Sequence, residues 1–275
     1  MSIEEHMELW RKKEPWFYSR LVFNEYSYII IMGLIFSLVV SCSILYPIST
    51  NLLAVFIGYF LAQFIFGWGH MTTHALYMES PPEDWEPGVL IAFLHHYKHP
   101  KFIYRFWLNH RLNFLMQTKG CLVAYVGAWV IPFIFLGGEV LPLFCWYLFW
   151  FSMVEPVHEY YHVPHQIRKL HFSLPMYYWL RTLEACRLIN EKTHAAHHNH
   201  AESSPAVGKF TDLYFPGLDQ YFQYVWRVSL NVSARLRNNN TFLATPIRSS
   251  IYTQGAVSIP LAFTLSSYIF CWGGM

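Results

Sequence analysis

The sequence predicts an all-α integral membrane protein: a four-helix transmembrane bundle made of two hairpins, a helical cap on the cytoplasmic side, and a C-terminal apolar helix. Composition is the first reason. Of 275 residues, 54% are apolar, 19% aromatic and only 13% charged, about half the charge of an average soluble domain. The second is patterning, because the apolar residues gather into runs close to the roughly 20 residues that a helix needs to cross a bilayer. A third observation, fifteen histidines crowded into a few short intervals beside those runs, bears on what the cap holds.

The elements follow in chain order. Residues 1–20 mix Trp10, Trp16, Phe17 and Tyr18 with charges, the composition of a helix lying in the interface. The first hairpin covers 29–68, as runs 29–46 and 52–68 around the helix-breaking turn "PISTN". A cytoplasmic block, 69–120, contains the loop "ESPPEDWEPG", marked by its prolines and glycine. The second hairpin covers 122–153, as runs 122–136 and 140–153 joined by "GGE". In the second cytoplasmic block, 154–250, "YYWLRTLEACRLINEKTHAAHH" has no glycine or proline and spaces its apolar residues as a helix does. The last apolar run, 256–272, is able to span, re-enter or lie in the interface. With no fixed-period repeat and no low-complexity linker, residues 1–275 read as a single domain.

Orientation comes from Lys and Arg, which stay on the cytoplasmic side of span ends. Arg11, Lys12, Lys13 and Arg20 precede the first hairpin, and Lys98, Lys101, Arg105, Arg111 and Lys119 lie between the two; neither hairpin turn carries a basic residue. Both hairpins are therefore expected to enter from the cytoplasm, with every histidine on that side or at its membrane edge. No cleaved signal peptide is expected ahead of the first run. The formal charge of +2, spread over loops, gives no reason to expect nucleic acid. Five cysteines without a C-x-x-C, four of them in or at the edge of apolar runs, are expected to be structural thiols. The sequons at Asn231 and Asn239 should stay unmodified on the cytoplasmic side.

Four histidine groups carry the chemistry. His70 and His74 in "GHMTTH" are spaced i, i+4; His95, His96 and His99 in "HHYKHP" are spaced i, i+1, i+4. His158 and His162 in "HEYYH" repeat i, i+4, and His194, His197 and His198 in "HAAHH" are spaced i, i+3, i+4. Residues three and four apart share a helix face, so each group can aim two or three imidazoles at one point. Ten histidines exceed the set that one tetrahedral zinc takes and suit two metals of higher coordination. His70 follows the second run and His158 the fourth, so both hairpins can deliver ligands to one depth. A dimetal site held by the cap is the simplest assembly, with no catalytic residue beyond the metal ligands. His165 and His200 lie near enough to support or replace ligands, whereas His6, His110 and His171 are expected at the surface or the interface. Glu155, Glu159 and Glu191 each precede a histidine by three, the spacing of carboxylate-bridged di-iron bundles. Given the histidine density, they are expected to support ligands or to lie on the surface.

On these boxes the chain resembles the membrane-bound, histidine-rich di-iron lipid desaturases and hydroxylases. Its layout is closest to the lipid desaturase family of Kua and CarF, which includes plasmanylethanolamine desaturase. "GHMTTH" stands where that family has its first box, "HHYKHPKFIYR" is similar to the second with one residue inserted, and "HEYYH" resembles the third. "THAAHH" followed by "FPGLDQYF" resembles the last box and its trailing acid, here Asp219. The likeness spans about residues 60–225. His74 stands for an aspartate, His99 precedes the proline where aspartate is usual, and Thr193 replaces the first histidine of the last box. The fatty acid hydroxylase and sterol desaturase families share the "HxxHH" ending and are the second choice.

The resemblance implies two Fe ions with O2 as co-substrate and oxidation of an unactivated C–H bond in a membrane lipid or acyl chain. Desaturation is the first expectation and hydroxylation of a fatty acid, sterol or related lipid the alternative. Electrons would come from an external donor of the cytochrome b5 or ferredoxin type, since no haem, flavin or Fe–S motif is present. A membrane zinc hydrolase is the distant alternative. Metal transport would place ionisable groups inside the spans, and these are nearly free of them. The implied location is a multi-pass membrane protein with its site facing the cytoplasm, in the endoplasmic reticulum of a eukaryote or the inner membrane of a bacterium.

Overall fold

Proline and asparagine shape the first turn. In a computed structural model that describes residues 25–79, 127–200, 210–238 and 246–273, α1 (Glu25–Leu45) stops just before Pro47 and α2 (Ile48–Glu79) starts just after it. The Asn51 side-chain amide donates to the carbonyls of Tyr46 at 3.0 Å and Pro47 at 3.1 Å. It thereby satisfies the Tyr46 carbonyl just beyond the end of α1, and the Pro47 carbonyl also accepts from the Asn51 backbone nitrogen at 3.0 Å. The expected interfacial helix 1–20 and the histidines His95, His96 and His99 lie outside the described residues, as do His6 and His110.

The second turn is built on glycine. A short helix α3 (Val130–Leu136) runs into a 3-10 turn, Gly137–Val140, and then into α4 (Leu141–His162). Gly137 has φ +58°, a backbone state that costs side-chain-bearing residues energy. The chain folds back here, because the Trp129 ring lies 5.2 Å from those of both Phe144 and Tyr147. Eighteen residues of unbroken helix would hold Trp129 and Tyr147 about 27 Å apart. The expected reversal at "GGE" is thus present, although residues 122–126 of the run before it lie outside the described residues.

Three helical stretches are long and apolar enough to cross a membrane: Ile48–Ala75, Val130–His162, which contains this reversal, and Ile247–Gly273. The first of these belongs to α2, which lies at the centre. It packs against both α4 and α9 (Pro246–Gly273), whose Phe263 also meets Tyr147 of α4, while α1 packs on α4. The Trp146 indole donates to Asn51 Oδ1 at 3.2 Å and the Trp150 indole to the Val55 carbonyl at 3.1 Å. Both pairs have the same sequence separation, so α2 and α4 run parallel. Gly58 permits the approach: a Cβ there would stand 2.8 Å from the Tyr147 backbone nitrogen. Where α1 meets α4, the buried thiols of Cys42 and Cys145 touch at 3.5 Å. The C-terminal run does more than the sequence specified. Gly255 faces Trp68 and Gly273 faces Leu53, which sets α9 antiparallel to α2 over nearly its full length.

The remaining described helices are α5 (Arg168–His171), α6 (Leu174–Ala185), α7 (Glu191–His200) and α8 (Leu218–Asn238). Among the described residues there is no strand. α8 is amphipathic, burying Phe222, Val225, Trp226, Ser229 and Ser233 while Tyr224, Arg227 and Asn231 are exposed. Those intervals of three and four make one continuous stripe, which packs on α2 and α9. Gly67 leaves the space that the Phe222 ring fills.

Candidate metal centre

Helix length decides where the histidines stand. His70 lies 22 residues beyond Ile48, about 33 Å along α2, which matches the roughly 30 Å of a hydrocarbon layer. α4 runs parallel to α2 and reaches the same end with His158 and His162. Facing both is α7, a short helix rich in histidine rather than apolar residues.

Two groups result. His70 and His74 of α2 meet His197 of α7, all three buried. The His74 Nε2 lies 3.2 Å from the Nε2 of His70 and 3.2 Å from that of His197. His158 and His162 of α4 meet His194 and His198 of α7. There the His194 Nε2 lies 3.0 Å from the Nε2 of both His162 and His198. Within each group the donor atoms all lie within 4.8 Å of one another.

Hydrogen bonding alone does not explain this convergence. An imidazole nitrogen offers one in-plane direction, as either a proton or a lone pair, and so it can serve one neighbour rather than two. Ligands about 2.1 Å from a common ion and 90–109° apart would be roughly 3.0–3.4 Å from each other. The four short spacings fall within that interval, so the donor sets fit metal ions. His70 and His158 are prepared for the role. The Nδ1 of His70 lies 3.1 Å from the Phe210 carbonyl, to which it donates, and that tautomer leaves Nε2 as the ligand atom. His158 Nδ1 lies 2.9 Å from both carboxylate oxygens of Asp212, the carboxylate–histidine pairing common behind metal ligands. Tyr161 stacks on His194 with centroids 4.3 Å apart and planes 7° apart, which fixes that ring.

The structure thus brings together seven of the ten expected ligands, and His74 is among them at the heart of its group. The supporting residues are distributed differently from the spacing-based expectation. The Glu159 carboxylate pairs at 2.6 Å with His171, whose side chain is only 5% exposed, so this histidine is not at the surface. Glu191 pairs with Arg168 at 2.5 Å and with His165 at 3.1 Å, and His165 is itself exposed. These bonds tie the start of α7 to the turn after α4. The backbones of Glu155 and His200 lie in α4 and α7, but their side chains are outside the described residues. Asp219 acts one step away: its Oδ1 accepts from the backbone nitrogens of Phe210 at 3.0 Å and Thr211 at 3.1 Å, the stretch that supplies the Phe210 carbonyl and Asp212. Asp212 itself, buried at 2% exposure, had no sequence signal beyond its position between the last histidine box and Asp219.

Burial holds His194 and His197 well below the ordinary imidazole value of 6.5, because lost hydration disfavours the charged ring. Neighbouring imidazoles push the same way, His158 and His162 on His194, and His70 and His74 on His197. Between its lowered native value and 6.5 each group binds fewer protons folded than unfolded, so its stabilisation is complete above 6.5 and drains as the pH falls below it. Metal-free protein should therefore lose on the order of 1 kcal/mol per group for each pH unit below 6.5. A thermal midpoint that stays level from pH 7.5 to pH 5.5 would contradict this.

No family model matches the chain, and neither a curated protein nor a solved structure does.

Proposed function

We propose that the protein is a membrane-bound non-haem di-iron oxidase acting on an unactivated C–H bond of a membrane lipid or acyl chain, most naturally as a desaturase. One observation carries the reading: two all-imidazole groups, bridged by α7, sit where parallel apolar helices end. Zinc sites take about four ligands and structural ones are closed, whereas two adjoining histidine-rich groups suit paired iron. Two irons held by these groups would supply O2 activation and hydrogen abstraction.

The chain's own residues prepare the site for that chemistry. His70 and His158 are held as Nδ1–H tautomers by Phe210 and Asp212, which keeps their Nε2 lone pairs turned toward the metal positions. Apolar side chains on α2 and α4 would offer surface to an acyl chain. Placement at a span end lets a polar headgroup stay hydrated while the chain enters the apolar layer. In this reading the basic flanks orient this end toward the cytoplasm, where an external electron donor of the cytochrome b5 or ferredoxin type would dock by charge. The likeness of the boxes to the Kua and CarF lipid desaturases points the same way, and hydroxylation differs only in whether oxygen returns to the carbon radical.

The test is lipid profiling of a host that expresses the protein, with and without O2, combined with metal analysis of protein purified gently from membranes. The expected result is an O2-dependent new alkene or alcohol in a lipid class and about two irons per chain. Zinc without iron, together with O2-independent hydrolysis of a lipid, would replace the oxidase with a metallohydrolase.

A further inference from the structure

Residues 210–217, the described stretch before α8, are non-helical, and side chains from three helices hold the backbone at its start. Gln63 of α2 accepts from the Leu213 nitrogen at 3.0 Å, Tyr161 of α4 donates to the Asp212 carbonyl at 2.6 Å, and Asp219 of α8 holds residues 210 and 211. Three helices therefore converge on one non-helical residue. The side chain they position is a buried carboxylate, 2.9 Å from His158 Nδ1 and 3.9 Å from His194 Nδ1. A carboxylate is costly to bury unless charge or hydrogen bonds compensate it, so this placement indicates a local purpose.

We propose that Asp212 is the positioning residue of the four-histidine group: it fixes the His158 tautomer and, lying between α4 and α7, sets how His158 and His194 face a shared metal. The inference rests on the metal-binding reading of that group and not on any lipid chemistry. His70 is oriented by a neutral carbonyl, whereas His158 has an anionic partner that strengthens it as a donor. The two groups are therefore built for unequal affinity, the one around His158 being the stronger for Asp212.

Co(II) binding by full-length, metal-free protein in detergent tests this, with ligand-field absorption as the readout. His197→Ala leaves the four-histidine group as the intact site, and the pair His162→Ala with His198→Ala leaves the three-histidine group. In the first background, Asp212→Asn is expected to weaken Co(II) 10- to 100-fold and move its absorption band, and Asp212→Glu to restore most of the affinity. In the second, Asp212→Asn should cost clearly less, because the Asp212 charge reaches His70 while its 2.9 Å bond goes to His158. Equal losses in both backgrounds would make Asp212 a fold residue only, and unchanged binding in the first would leave it without a role; each overturns the proposal. If neither background binds Co(II), the metal reading fails and the proposal with it. A host that yields no oxidised lipid while these affinities hold would sink the oxidase alone.

Discussion

Replacing His197 by alanine is expected to abolish lipid product, a loss of at least 100-fold, while metal content falls from about two ions per chain to about one. The asymmetry follows from α7. His197 joins His70 and His74, whereas its neighbours His194 and His198 join His158 and His162. Removing the one imidazole that α7 gives to the first group leaves two described ligands on a single helix face, too few to hold an ion tightly. The second group keeps all four of its described histidines. Measurement needs three readings on one preparation: insertion into membranes, metal per chain, and the lipid profile of the host. Membrane insertion should be unchanged, because His197 lies on α7 and not in an apolar run. Wild-type metal content with wild-type product would show that the three-histidine group is not a metal site.

Changing Gly58 to leucine is expected to have the next largest effect, and through packing rather than chemistry. A Cβ at residue 58 would already stand 2.8 Å from the Tyr147 nitrogen and 3.0 Å from the Trp146 carbonyl carbon. Those are backbone atoms of a helix and cannot swing aside, so α2 and α4 must separate. Alanine alone should cost about 1–3 kcal/mol, as overpacking does, and leucine more. Because α2 carries His70 and His74 while α4 carries His158 and His162, the separation also disturbs the two groups that α7 must reach together. Gly58→Leu should therefore lower the thermal midpoint in detergent and reduce bound metal. Gly33 on α1 is the internal comparison: nothing lies within 4 Å of its would-be Cβ, so Gly33→Ala should be neutral or raise stability by up to about 1 kcal/mol through helix propensity. Equal behaviour of Gly33→Ala and Gly58→Ala would mean that the close contact of α2 with α4 is not present in the protein.

The sequence by itself determined what depends on local interval and composition. Apolar run length marked three helical stretches long and apolar enough to cross a membrane, "PISTN" and "GGE" marked two reversals, and i, i+4 spacing placed His70 with His74 and His158 with His162. Those features are legible because a helix repeats every 3.6 residues whatever surrounds it. Partnership was not legible. His197 and His198 are neighbours in sequence, yet about 100° of rotation per residue sends them to different groups, and only the packing of α2 against α4 decides which group each meets. Glu159 and Glu191 had the spacing of bridging carboxylates, but their oxygens go to His171, Arg168 and His165 because the turn after α4 brings those bases nearer. Asp212 lies on a segment with no periodicity, so nothing in its neighbours' spacing could mark it. It stands beside His158 because Gln63, Tyr161 and Asp219, from three helices far apart in the chain, fix the backbone around it. Spacing sets the face on which a side chain stands, and the long-range packing of helices sets what that face meets.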